Sequence, residues 1–201
     1  MTGHETPPTS SNKGEERAHE VTAEELEPTP RPRPGIWVAR DERSPFGSWC
    51  DAYGTVEQVQ SRIGDKQILD TIEFGTFEVK RDETAEVVAR VANGIREHGY
   101  AFAAWADFHD ADPDLLAAFR DHYLGEFASY EDLGRALAQQ TEEQLPEELR
   151  PHVRIDYEAL ARDQTGGVRL FTLEGPEGEV FLFQGPNDDE VPDHPDAQPD
   201  A

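Results

Sequence analysis

The sequence is poor in the residues that mark secreted, membrane-spanning or nucleic-acid-binding proteins. Its 201 residues include one cysteine, Cys50, which excludes an internal disulfide framework and indicates a reducing compartment. The longest apolar run, residues 100–106, is far shorter than the roughly 18 residues of a membrane span, and no signal-peptide pattern is evident. Basic residues are also few, so a surface that binds nucleic acid directly is not expected. We therefore expect a cytoplasmic protein.

Acidic residues are abundant and lie mainly in the part of the chain that can fold. The sequence has 43 Asp and Glu against 18 Lys and Arg, a formal net charge of −25. Residues 35–185 hold 30 of these acids and 14 of the bases, and residues 97–148 hold 13 acids and two bases. A compact domain with this charge repels itself, which favours a positively charged partner. An acidic proteome or a need for solubility gives the same composition, so charge alone does not identify the partner.

Composition divides the chain into a foldable body and two low-complexity ends. Residues 1–34 are rich in Pro, Thr, Ser and Glu and predict a disordered arm, and residues 186–201 predict a disordered acidic tail. Between them we predict an α+β fold, elongated and built from three small modules. These are a small sheet plus a helix over 35–80, a helical module over 81–124, and a module of helices plus a β-hairpin over 125–185.

The first module is predicted from two short strands and one capped helix. Strands are expected over residues 36–39 and 46–52, and Thr55 is positioned to cap a helix with Val56, Val59 and Ile63 on one side. Residues 68–79 alternate well enough for one or two further strands broken near Gly75.

The remaining elements follow from helical spacing and turn residues. A helix with Val88, Val91, Ala92 and Ile95 on one face is expected to stop near Gly99, and Asp112 followed by Pro113 predicts a second helix start. That second helix is predicted to turn Leu115, Leu116, Phe119 and Tyr123 inward. Ser129 and Asp132 form a capping-box-like start for a helix to about Gln140, residues 155–163 predict another helix, and residues 168–173 and 179–183 predict a hairpin.

Most aromatic side chains fall where the pattern requires core residues, so we interpret them first as packing residues. They are Trp37, Trp49, Phe102, Trp105, Phe119, Tyr123, Phe171 and Phe183.

Taken in order, six segments of the body resemble the antirestriction family known as ArdA, over about residues 36–184. The segments that carry the resemblance are residues 36–39 (IWVA), 47–52 (GSWCDA), 98–105 (HGYAFAAW), 119–127 (FRDHYLGEF), 129–133 (SYEDL) and 155–163 (IDYEALARD). No single segment is a mechanistic signature, but their order and spacing together are specific.

The resemblance implies a non-enzymatic DNA mimic. Members of that family are elongated, acidic, dimeric proteins that occupy the DNA-binding channel of type I restriction-modification enzymes and so protect mobile genetic elements. It implies a homodimer, with the segment 123–130 and the terminal hairpin as alternative sources of apolar dimer surface, and it implies no catalysis. From the residues themselves we expect no cofactor, metal, membrane or direct nucleic-acid partner. The chain departs from the family pattern by a short stretch between Ile63 and Ile68 and by the Pro-rich arm.

Mimicry of this kind is physically reasonable because carboxylates three or four residues apart on a helix lie roughly 5–6 Å apart, close to the spacing of DNA phosphates. Helical rows of acids are therefore candidates for the surface that meets the partner. The candidate partner-binding residues are Asp107, Asp110, Asp114, Asp121, Glu126, Glu131, Asp132, Glu142, Glu143, Glu147 and Glu148. Asp132 is also expected to serve as a helix cap.

Other functions are weaker alternatives. An acidic adaptor or regulator that binds a different basic protein is the main one. A metal-assisted hydrolase would rest on His109, His122 and Asp110, but they form no known ligand motif, and isolated surface histidines are the favoured interpretation. A calcium loop over residues 110–121 lacks the glycine that its turn needs, because Leu115 occupies that position, so an ordinary helix start is favoured.

Overall fold

The computed structural model describes residues 31–41, 46–144, 146–148 and 152–185, without the side chains of residues 140–142 and 144. The predicted tail and all of the predicted arm before Arg31 lie outside the described residues. The described part contains seven helices and two three-stranded antiparallel sheets, so the predicted α+β class is confirmed. None of its helices is both long and apolar enough to cross a membrane.

The first sheet consists of β1 (Gly35–Ala39), β2 (Gly47–Asp51) and β3 (Ile68–Ile72), in the order β2-β1-β3. It packs with α1 (Val56–Ile63), whose predicted cap is confirmed, since the Thr55 hydroxyl accepts the backbone N–H of Gln58. The predicted first two strands are confirmed, and the third ends at Ile72, close to the break expected near Gly75, with no further strand over residues 76–79. The reason is that Glu73 and Gly75 both have φ near +60°, which turns the chain out of the sheet.

Two expectations for side chains of this region are wrong. Val56 is 41% exposed rather than buried on the inner side of α1, while Val59 and Ile63 are buried as predicted. Trp49, predicted as a core residue, is 48% exposed.

The middle of the chain forms α2 (Ala85–His98) and α3 (Tyr100–Phe108), and the predicted helix stop at Gly99 is confirmed. Gly99 has φ of +74°, a backbone conformation that residues other than glycine rarely adopt, and its N–H donates to the Ile95 carbonyl. Helix α3 is covered on all sides, with every residue from 101 to 106 buried, so its pattern is apolar throughout rather than amphipathic.

The predicted helix from Asp112 to Tyr123 is correct at its start and wrong at its end. Asp112 caps α4 (Pro113–Ala117), but the chain breaks at Ala118, forms the single turn α5 (Phe119–His122) and then enters strand β4 (Tyr123–Phe127). Tyr123 therefore pairs with Phe183 across a sheet instead of closing a helix, because long-range strand pairing overrides local helical spacing. Leu115 is 41% exposed rather than inward.

The second sheet joins β4 to the predicted hairpin, which is confirmed as β5 (Leu170–Glu174) and β6 (Val180–Gln184). The order is β4-β6-β5, and helices α6 (Tyr130–Gln144) and α7 (Tyr157–Thr165) confirm two further helix predictions. Central strand β6 is buried on both faces: Phe181 and Phe183 join the core around Trp105, whereas Val180 and Leu182 pack with Leu133. This explains its continuous apolar sequence.

One connected hydrophobic core runs from Ile36 in the first sheet through Val91 and Trp105 to Phe183 in the second. A smaller core lies between the second sheet and helices α6 and α7. The division into modules over 35–80, 81–124 and 125–185 stays a prediction.

Candidate partner-binding surface

Acidic residues are distributed unevenly between the two halves of the body. Residues 35–82, which include the first sheet, hold nine acids and six bases, whereas residues 83–185 hold 21 acids and eight bases. All of the candidate partner-binding residues lie in the second group. Each of them whose side chain is described is exposed to solvent, so none carries the desolvation cost of a buried carboxylate.

Asp107 and Asp110 lie where α3 ends and the chain turns into α4. Asp110 and Ala111 have φ near +50°, in the left-handed region that Asp tolerates better than most residues. The turn leads to Asp112, whose carboxylate accepts the N–H groups of Asp114 and Leu115 at 2.9 and 3.2 Å. The expected ordinary helix start is confirmed.

Asp114, Asp121 and Glu126 occupy exposed positions on α4, α5 and β4. Helix α5 is tied to α2 by an ion pair between Arg120 and Glu97. One of the two bases within residues 97–148 is therefore already paired with an acid.

Glu131 and Asp132, at the start of α6, both have partners inside the molecule. The Ser129 hydroxyl accepts the Asp132 N–H at 3.1 Å, so Ser129 caps α6, and it donates to the Asp132 carboxylate at 2.8 Å. A capping role for Asp132 itself stays a prediction. Glu131 pairs with Arg135 one helical turn later, and this hydrogen bond is the main cause that raises the pKa of Arg135. These two carboxylates are already engaged within the molecule.

The pairing at Glu131 belongs to a reciprocal arrangement between α6 and α7. Both helices begin with the pattern Y-E-x-L-x-R, at residues 130–135 and 157–162. In each the Glu pairs with the Arg four residues later, and each Arg stacks over the Tyr that begins the other helix. The distances from guanidinium carbon to ring centre are 4.7 Å for Arg135 over Tyr157 and 3.9 Å for Arg162 over Tyr130. Two copies of a six-residue pattern could have indicated this arrangement from the sequence.

The last four candidates lie at and beyond the end of α6. Glu143 is exposed in its last turn, with the Gln139 side-chain amide 3.5 Å from its carboxylate, and Glu147 and Glu148 are exposed in the turn that follows. The side chain of Glu142 lies outside the described residues.

The candidate acids are thus carried by α3 and the turn after it, α4, α5, β4, α6 and the turn after it, not by one long helix. Any row of carboxylates at phosphate-like spacing must be assembled by tertiary packing. The contact of these residues with a partner stays a prediction.

The fold also collects acids that the sequence did not indicate. The pKa of Tyr100 is raised, first by burial of its phenol and then by the charges of Glu73, Glu177 and Glu179. Glu73 follows β3, whereas Glu177 and Glu179 belong to the hairpin between β5 and β6. No local signal could have predicted that Glu73 and the two hairpin acids act on the same phenol, because about 100 residues separate them along the chain.

His109 and His122 are not the isolated surface histidines that were expected. Both are half-buried against Trp105, with ring centres 4.2 and 5.3 Å from its indole. His122 Nδ1 lies 2.7 Å from the Gln184 carbonyl oxygen, while His109 Nε2 is buried without a hydrogen bond. Burial, followed by the nearby His122, lowers the pKa of His109. Among the described residues, no group of three or more acidic, histidine or cysteine side chains is arranged to hold a metal ion.

Comparison with models of known protein families gives a match. The family model described as "Antirestriction protein (ArdA)" matches residues 41–176, more than half of the chain. No curated protein matches the sequence. The matched range includes every candidate partner-binding residue and most of both sheets.

Proposed function

This chain belongs to the ArdA family of antirestriction proteins, and we propose that it inhibits type I restriction-modification enzymes by mimicking B-form DNA. The protein occupies the DNA-binding channel of the enzyme, as a homodimer, and has no catalytic step of its own. The observation that carries the proposal is the family match, which spans the whole acidic stretch 97–148.

The charge distribution supports this mechanism. An enzyme that binds DNA derives much of its affinity from Lys and Arg contacts to phosphates, and these contacts do not depend on base sequence. Exposed carboxylates on rigid elements compete for the same cations without first having to be ordered. Asp114 and Asp121 are such groups, since both are exposed and each lies on a helix packed against the core by Leu116 or Phe119.

Cleavage of unmodified DNA by a purified type I restriction enzyme tests the proposal. The wild-type protein in molar excess should block cleavage, and the block should weaken as salt is raised. The triple variant Asp107→Asn, Asp114→Asn, Asp121→Asn should lose at least about tenfold in inhibitory potency, equivalent to about 1.4 kcal/mol of binding free energy.

A matched control removes the same charge from the near-neutral region. The variant Asp65→Asn, Glu78→Gln, Asp82→Asn changes three exposed acids outside the candidate surface and should inhibit within about twofold of wild type. Equal loss in both triple variants would mean that net charge, not a mimic surface, is responsible. Undiminished cleavage with wild-type protein at low salt would refute the proposal and favour an adaptor for another basic protein.

A further inference from the structure

The first sheet has a second face, opposite the side that packs into the hydrophobic core. Residues alternate across a strand, so the register places every second residue of β1, β2 and β3 on the side opposite the core residues Ile36 and Val38. We call this side the indole face. It consists of Gly35, Trp37, Ala39, Gly47, Trp49, Asp51, Asp70 and Ile72, of which the small residues Gly35 and Ala39 are buried.

Two tryptophans lie against this sheet in a fixed arrangement. Trp37 and Trp49 are directly opposite each other on β1 and β2, with ring centres 5.5 Å apart and planes at 65°. A Cβ at Gly47 would lie 2.8 Å from the indole nitrogen of Trp37, and one at Gly35 would lie 3.8 Å from the Trp49 ring. Glycine at position 47 leaves room for the Trp37 indole, and an edge-to-face contact holds the two rings against each other. The rings are therefore ordered before any partner arrives.

The indole face remains open to solvent. Trp49 is 48% exposed and Ile72, at the other edge of the sheet, is 50% exposed. Single exposed apolar residues are ordinary, but an exposed tryptophan with ordered neighbours on a sheet face is typical of a contact surface.

Charge on this face favours a cationic group. Asp70 lies opposite Trp37 on β3, and Asp51 lies two residues after Trp49 on β2, both exposed. An aromatic ring attracts a guanidinium to its face, and a carboxylate beside it accepts hydrogen bonds from the same group. Arginine suits this combination better than lysine, because its planar head both stacks and forms paired hydrogen bonds. The carboxylates repel a phosphate.

Arginine side chains stack on aromatic rings at other places in this molecule. Arg96 stacks over Tyr53 at 3.8 Å, and the two helices α6 and α7 exchange their Arg–Tyr stacks. Within the described residues, no Arg or Lys stacks on Trp37 or Trp49. The indoles are thus open to a cation from another molecule.

We propose that the indole face binds an arginine side chain presented by a partner protein. This surface is chemically distinct from the acidic candidate surface, because it combines aromatic rings with two carboxylates in a region that is close to neutral overall. The proposal does not depend on the proposed function, since the recognised group is one side chain rather than a row of DNA-binding cations.

The indole N–H signals of the full-length protein in ¹H–¹⁵N correlation spectra provide the test. The chain has three tryptophans, and the third is an internal control, because the Trp105 indole is buried and donates to the Leu115 carbonyl at 2.8 Å. Titration with a capped glycine pentapeptide that has a central arginine should shift the Trp37 and Trp49 signals to saturation and leave that of Trp105 in place. The same peptide with citrulline in place of arginine keeps the shape of the side chain and removes its charge. It should bind about tenfold more weakly or not at all.

Variants distinguish binding of the peptide at the indole face from a general effect of the protein's negative charge. Asp51→Asn with Asp70→Asn should weaken peptide binding at least about fivefold, and Trp49→Ala should weaken it about tenfold. Asp114→Asn with Asp121→Asn removes the same charge far along the chain and should bind as wild type.

Three outcomes would overturn the proposal. They are equal shifts with the citrulline peptide, equal weakening by the Asp114 and Asp121 control, and signals of Trp37 and Trp49 that move with protein concentration alone. The last would identify a second copy of this chain as the occupant. Because no restriction enzyme is present, none of these results depends on whether the protein inhibits one.

Discussion

Gly134 lies in the interior of α6, where sequence and structure predict opposite effects of the substitution Gly134→Ala. Glycine in the middle of a helix costs about 1 kcal/mol relative to alanine, so helix propensity alone predicts stabilisation. In the structure a Cβ at this position would lie 1.9 Å from the Tyr157 carbonyl oxygen and 2.5 Å from its carbonyl carbon. Both atoms are backbone atoms at the start of α7.

The magnitude follows from what has to move. Real Cβ contacts are almost never shorter than 3.0 Å, so α7 must shift by more than about 1 Å relative to α6. Overpacking of a well-packed site costs typically about 1–3 kcal/mol, and here the shift also separates Leu133 from Ala161 in the smaller core and disturbs both Arg–Tyr stacks. With the propensity gain set against this, we expect a net loss of about 2 kcal/mol in the free energy of unfolding.

Urea and thermal unfolding of the full-length variant measure the effect. A loss of about 2 kcal/mol corresponds to a fall in Tm of about 4–8 °C for a chain of this size. Gly167→Ala is the matched control, because a Cβ there meets nothing within 4 Å, and it should change stability by no more than about 0.5 kcal/mol. A Gly134→Ala protein as stable as wild type, or more stable, would refute the close packing of α6 on α7.

Three smaller predictions follow from buried or stacked side chains. Burial is the main cause that lowers the pKa of both His98 and His109. The unfolded chain therefore binds more protons than the folded chain at acid pH. The stability that the two neutral imidazoles contribute is complete above the unfolded pKa of about 6.5 and is lost as pH falls below it. Other groups titrate as well, so the check is a difference: His109→Phe should lose less free energy of unfolding than wild type between pH 7.5 and 5.5, and an identical loss would contradict the buried neutral imidazole. Trp105→Phe removes the indole hydrogen bond to the Leu115 carbonyl and part of the core, and should cost about 2–4 kcal/mol in urea unfolding; a loss below about 1 kcal/mol would contradict its central position. Arg162→Met keeps most of the contact area over Tyr130 and removes an ion pair with Glu158 that is exposed. The free energy of unfolding, measured by thermal unfolding, should therefore change by less than about 1 kcal/mol. A larger loss would mean that the ion pair is strongly coupled to the fold.

Local signals predicted the helices and their starts well. The caps at Thr55, Asp112 and Ser129 are each made between groups two or three residues apart, so the information for them lies within one turn of chain. The stop at Gly99 is local for the same reason, since it depends on the backbone freedom of one glycine.

The errors occur where distant segments decide. Tyr123 and Leu116 have the spacing of one helical face, but Tyr123 is drawn into a strand by pairing with Phe183, 60 residues away. Trp49 has the pattern of a core residue, yet it lies on the open side of its sheet, because a strand's alternation does not reveal which of its two faces is covered.

The candidate surface shows the same division. Sequence alone located the acidic stretch and its excess over basic residues, because charge is a property of composition. It did not predict that Glu131 already pairs with Arg135, or that Glu73, Glu177 and Glu179 all act on the phenol of Tyr100.

The sequence by itself determined the family, the net charge and most helix boundaries, since each depends on residue identity or on neighbours within one helical turn. Only the tertiary structure decided the second sheet's extra strand, the close approach of Gly134 to Tyr157 and the open indole face. These features depend on which distant segments meet, and that is set by the burial of apolar surface across the whole body rather than by local preference.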